Sequence, residues 1–238
     1  MKKFLLFIVL SIIPLFSIYA KEYKIDDLTI DLDESKFSVI TLDDIANNPL
    51  VKEYNLDAEQ LRKNYEKQYI KLEALQLNEE KNGYYYDIFV AEKYVKNAKN
   101  LHSYSEKQIN DVKKEILKKV DAIESNIYKT NEYTYVSYLY KDSLDAKTIY
   151  IYDYYTVINE NGYTIKFQKQ SEFTDEDIKV VKGIVDKIRF SVDTKYNKKS
   201  SYSSTIISAI TAGIIGALYS LFKPKKKIEK KEEGNKAF

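Results

Sequence analysis

Cysteine is absent from this 238-residue chain, and histidine occurs once, at His102. Without a thiol there is no disulfide, no thiolate nucleophile, no cysteine-rich zinc site and no lipid-modified cysteine behind an export signal. Arginine is nearly as scarce, limited to Arg62 and Arg189. Nucleic-acid surfaces need clustered Lys and Arg to displace counterions from phosphates, so nucleic acid is excluded as a partner. No phosphate loop, nucleophile elbow, metal-ligand helix or dinucleotide fingerprint occurs, and no cofactor is expected. Those absences leave one kind of chemistry open, because a pair of carboxylates can assemble from distant positions.

Charge is unevenly placed. The formal net charge is +2, but both ends are basic and Lys21 to Ser203 carries −4. With 44% hydrophobic and 31% charged residues, and 23 Tyr beside 10 Phe, the body has enough large side chains for one core. A single globular domain of ordinary size is expected.

The ends are the most legible part. Residues 1–20 combine Lys2 and Lys3 with an apolar run from Phe4 to Phe16 and a small residue, Ala20, before Lys21 and Glu22. This is the layout of a secretory signal peptide, with cleavage expected after Ala20 and an uncleaved anchor as the alternative. Residues 204–222 form an uncharged run of bilayer-spanning length, followed at once by Lys223, Lys225, Lys226 and Lys227. A single-pass, bacterial cell-membrane protein is expected, with an extracytoplasmic body at 21–192, a linker at 193–203 and a basic cytoplasmic tail at 223–238. Within the span, Ser208, Ala212, Gly216 and Ser220 recur every fourth residue and make a helix–helix contact stripe through which the chain can self-associate.

In the body, Leu28, Ile30 and Leu32, then Phe37, Val39 and Thr41, read as two opening strands. Asn55 or Asp57 caps a helix carrying Ala58, Leu61 and Tyr65, and Leu72 to Leu77 reads as strand. Asn82-Gly83 turns the chain into a strand over Tyr84 to Val90. Ser103 with Glu106 suggests a capping box for a helix whose stripe is Ile109, Val112, Ile116, Val120 and Ile123. A three-strand meander over Tyr133–Tyr140, Thr148–Ile158 and Tyr163–Phe167 turns at Asn161-Gly162. Thr174 and Asp177 open a last helix carrying Ile178, Val181, Ile184, Val185 and Ile188, in which Gly183 suggests close packing. Strands joined by hairpins with interspersed helices predict an α+β fold, an antiparallel sheet flanked by helices.

The order and spacing of IDDLTIDLDESKFSVIT, LHSYSEKQINDVKKEIL and YYTVINENGYTIKFQKQSEFTDEDIKVVKGIVDKIRFSV resemble the PsbP-like fold. That fold is shared by an extrinsic photosystem II subunit, a small Ran-binding protein and many exported bacterial proteins. The resemblance implies an α/β/α sandwich and a binding or assembly role, with no functional residue carried over.

Candidate site residues are few. Tyr150, Tyr152 and Tyr154 share one strand face and could floor a groove for a peptide or glycan, or belong to the core. His102 beside Ser103 reads as a surface or capping neighbour. Asp31, Asp33 and Glu34, and Asp175, Glu176 and Asp177, lack the spacing of a calcium loop and read as solvated ends. The leading expectation is a membrane-anchored binding or assembly module with a protein or envelope partner, and the alternative is a cell-envelope hydrolase using an assembled carboxylate pair.

Overall fold

Why the chain folds as it does is clearest at its hairpins. A computed structural model describes residues 20–78, 83–144 and 147–191. Strands β1 (Ala20–Ile25) and β2 (Leu28–Asp33) pair antiparallel across a two-residue turn, in which Asp26 takes φ 48°, a left-handed value suited to tight hairpins. Leu28, Ile30 and Leu32 are buried, as alternation predicts. β1 was not expected, because Ala20, Lys21 and Glu22 are exposed and its residues carry no apolar alternation.

The remaining strands are β3 (Ser38–Thr41), β4 (Ile70–Asn78), β5 (Gly83–Tyr94), β6 (Ala122–Lys129), β7 (Thr134–Leu144), β8 (Lys147–Ile158), β9 (Asn161–Lys169) and β10 (Arg189–Phe190). The helices are α1 (Pro49–Glu53), α2 (Ala58–Gln68), α3 (Glu106–Leu117) and α4 (Asp175–Val185). All pairings are antiparallel, in a seven-stranded sheet of order β3-β4-β5-β9-β8-β7-β6 and a small sheet of order β1-β2-β10. The fold is α+β, and among the described residues no helix is long and apolar enough to cross a membrane.

Each helix has a chemical start. Asp57 caps α2 by accepting from the Gln60 N–H at 2.9 Å, and Tyr69 ends it at φ 60°. The capping box of α3 is Ser105–Gln108, not Ser103–Glu106, because Ser103 lies in a 3-10 turn and donates to the Asn100 carbonyl at 2.7 Å. That helix ends at Leu117, so Val120 follows it and Ile123 lies in β6, 57% exposed. Polar residues in ESN disguise β6 as helix surface. Thr174 and Asp177 do form a capping box on α4.

The β8–β9 turn also differs from expectation. It falls at Asn159 and Glu160, both with positive φ, and Gly162 lies inside β9. There a Cβ would meet the Tyr155 hydroxyl at 2.9 Å and Val95 at 3.1 Å, so glycine serves a close approach within the sheet. Gly183 is the reverse case. Nothing lies within 4 Å of its would-be Cβ, so it does not mark close packing.

The large sheet is covered on both faces. On one face, Leu72, Ile88, Val90, Ile165, Phe167, Tyr152 and Tyr154 pack with Val181 and Val185 of α4 and with the small sheet. On the other, Leu75, Phe89 and Ala91 pack with Val51, Leu61 and Tyr65 of α1 and α2, and Val136, Tyr155 and Val157 pack with Ile109, Val112 and Ile116 of α3. The two apolar clusters of this second face are distinct, and the central strand β9 sends Lys166 and Gln168 toward the same side. The expected signal peptide, the Asn82-Gly83 turn, the linker, the span with Ser208, Ala212, Gly216 and Ser220, and the tail lie outside or largely outside the described residues.

Candidate functional site

Charged residues interrupt otherwise apolar strands at Glu73, Asp87, Asp153 and Lys166, and strand pairing gathers them into a belt across the second face. All four are buried, with Glu73 at 0% exposure and Lys166 at 3%. Burying charge without a partner is costly, so each must be bonded or neutralised. Lys166 Nζ contacts the Tyr140 hydroxyl at 2.9 Å and Asp153 at 3.8 Å, and Tyr140 donates to Asp153 at 3.3 Å. Burial raises the Asp153 carboxyl, and the ammonium of Lys166 opposes it.

Glu73 and Asp87 occupy neighbouring strands, with their carboxyls within hydrogen-bond reach. The Tyr65 hydroxyl of α2 donates to Glu73 Oε2, and Gln168 Nε2 donates to Asp87 Oδ2 at 2.9 Å. Burial, followed by the charge of Asp87, lifts the Glu73 carboxyl far above the usual range. Burial likewise pushes Asp87 up to about 7, against the hydrogen bonds from Glu73 and Gln168. This pair faces inward, away from any substrate.

A second carboxyl pair is reachable from solvent. Asp26, in the β1–β2 turn, meets Glu92 at the end of β5, joining the small sheet to the large one. Lys71 Nζ contacts Asp26 at 3.0 Å, and the Tyr163 hydroxyl donates to Glu92 at 3.3 Å. Burial and then the hydrogen bond to Asp26 push Glu92 up to about 8, while the Glu92 and Lys71 hydrogen bonds hold Asp26 below the usual carboxylate range. Near neutral pH these shifts favour one protonated acid beside one ionised acid, which is the arrangement proton transfer needs.

A third cluster braces α4. Lys169 Nζ, 4% exposed, pairs with Asp177 Oδ2 at 2.6 Å and lies over the rings of Tyr86 and Phe173 at 5.4 and 5.7 Å. Tyr86 donates to the other Asp177 oxygen. Asp177 is thus buried and ion-paired, contrary to the expectation of a solvated helix end. Asp31 also has a bonded role, taking a bidentate contact from Arg189 at 2.9 and 3.0 Å.

The tyrosines singled out in β8 separate. Tyr152 and Tyr154 are 4% and 0% exposed within the α4-side core, while Tyr150 is half-buried and donates to Glu172 at 3.0 Å. His102 lies in the 3-10 turn with a buried Nδ1. Among the described residues no group of three or more His, Asp or Glu could hold a metal ion. The acid pairs were not named from sequence. The readable signal was a lone charge inside an apolar strand, as in IYIYDYY, but its partner depends on strand order.

The described surface has an open cleft of about 510 Å³ between the β6–β7 hairpin and the chain around β10. Tyr128, Asn131, Glu132, Tyr133, Asp186 and Arg189 line it.

No family model matches the sequence, and no curated protein matches it. Among solved structures, the chain is similar to cyanobacterial PsbP (CyanoP) from Synechocystis sp. PCC 6803, with 9% identity over 71% of this chain and 91% of that one, at a TM-score of 0.46. It is also similar to the Saccharomyces cerevisiae Ran-binding protein Mog1p, with 11% identity over 74% of this chain and 97% of that one, at a TM-score of 0.37. Both similarities concern fold alone.

Proposed function

We propose that this chain is a binding or assembly module, an α/β/α sandwich held outside the cytoplasm by its C-terminal apolar segment, and that its partner is a protein. The cleft beside β10 carries the reading. It offers the partly exposed Tyr128 ring with Lys129, Glu132, Asp186 and Arg189 around it, over a floor formed by the buried Tyr133 and Ile188. This mix of aromatic surface and charges of both signs suits a protein segment rather than a small charged metabolite. The ionisable belt of the sheet, by contrast, is shut away from solvent. A photo-crosslinking residue at Asn131 should capture a defined neighbour in intact cells, whereas the same residue at Lys63, on the exposed face of α2, should not. Equal capture at both positions, or none at Asn131, rejects the cleft.

The Asp26–Glu92 pair favours a second reading, a cell-envelope hydrolase. That reading requires release of reducing ends or free carboxyls from isolated envelope polymers, lost in Glu92→Gln. Release that is absent, or unchanged in the variant, discards it.

A further inference from the structure

We propose that Glu73 and Asp87 form a proton-dependent clasp, which holds α2 against the sheet when protonated and loosens it as the proton leaves.

The geometry supplies the argument. Each carboxyl has one oxygen bonded from outside the pair, Glu73 Oε2 by Tyr65 and Asp87 Oδ2 by Gln168. The remaining oxygens, Glu73 Oε1 and Asp87 Oδ1, are buried and meet no donor. A carboxylate only accepts, so two ionised groups within hydrogen-bond reach of one another would leave two buried acceptors without a donor in low dielectric. One proton between them turns the repulsion into a hydrogen bond and satisfies both.

Among the described residues, no cation contributes to the shift of either carboxyl. From α2 the titratable group facing it is Tyr65, whose hydroxyl resists ionisation because of burial and then the Glu73 charge. Asp44, in the loop after β3, adds negative charge near Tyr65. From β9, Gln168 is neutral, and Lys166 on the same face contacts Tyr140 and Asp153. Proton loss therefore puts net negative charge beneath α2, whose attachment to the sheet includes Tyr65 and Leu61.

The sign follows from linkage. Both carboxyls bind protons more tightly folded than unfolded, so the clasp is complete below the ordinary carboxylate range, about pH 4. Loss of a first proton, from Asp87 at about 7, leaves one proton to share. The clasp opens only at higher pH, as the second leaves Glu73, which is held far above the usual carboxylate range.

The test is amide exchange with side-chain carboxyl carbon NMR on the full-length chain in mild detergent. Between about pH 7 and 10, protection of α2 amides, corrected for intrinsic exchange, should fall roughly tenfold or more while α4 amides stay protected. Glu73→Gln keeps a donor toward Asp87 but removes one titrating acid, and should flatten the α2 response. Protection independent of pH, an equal fall in α4, or an unchanged response in a folded Glu73→Gln protein would each overturn the clasp. If that variant does not fold, the wild-type carbon titration decides: a proton retained on the pair above pH 6 supports the proposal, and two carboxylates ionised by pH 5 refute it.

Discussion

Asp177 and the Glu73–Asp87 pair respond to pH in opposite directions, although all three are buried acids. Burial pushes Asp177 up, but the Lys169 ammonium, the Tyr86 hydroxyl and the Thr174 N–H and hydroxyl together hold it well below the usual range. Its stabilisation is present above the unfolded value, about pH 4, and is lost as pH falls through its lower folded value. Asp177→Asn should cost about 3 kcal/mol in urea unfolding at neutral pH, because Lys169 is left buried without its counter-charge. The same variant should lose much of the wild type's decline below about pH 4. A cost under about 0.5 kcal/mol would show that Lys169 finds another partner. The difference between the acids is one of neighbours: Asp177 sits by an ammonium, and Glu73 sits by another carboxyl.

At the scale of elements, two glycines make opposite predictions. Gly183 lies in an exposed stretch of α4 with open space at its Cβ, so Gly183→Ala should stabilise by about 1 kcal/mol through helix propensity. Gly162→Ala forces a methyl against Tyr155 and Val95, and should destabilise by about 1–3 kcal/mol. Thermal unfolding of both variants checks the pair. Sequence position alone could not separate them, since one glycine interrupts an apolar stripe and the other follows a turn residue. Caps and apolar stripes were legible, as with Asp57, Thr174 and the buried set Ile109, Val112 and Ile116. Short or polar elements were not: β1, β6 and α1 are held by pairing and tertiary contact more than by their own pattern.

For the whole molecule, the proposed arrangement places residues 21–192 beyond the membrane and the basic tail inside. Protease added to intact protoplasts should digest the body and leave a C-terminal tag after Phe238 protected until lysis. A body resistant in intact cells but digested after lysis would reverse the topology and remove an extracytoplasmic partner from consideration. The tested module must also stay intact without covalent bracing, since the chain has no cysteine. Its two sheets are joined instead by the Asp26–Glu92–Lys71 cluster and a shared apolar core.

The sequence by itself determined the chemistry excluded, the alternation of most strands, the main helix stripes and the resemblance in element order, because each depends on residue type or on spacing along a few turns. Tertiary structure alone decided that Glu73 meets Asp87, that Asp26 meets Glu92, and that Asp177 is buried against Lys169. Those contacts depend on strand register and on which element covers which face, and it is that enclosure which sets a carboxyl's charge.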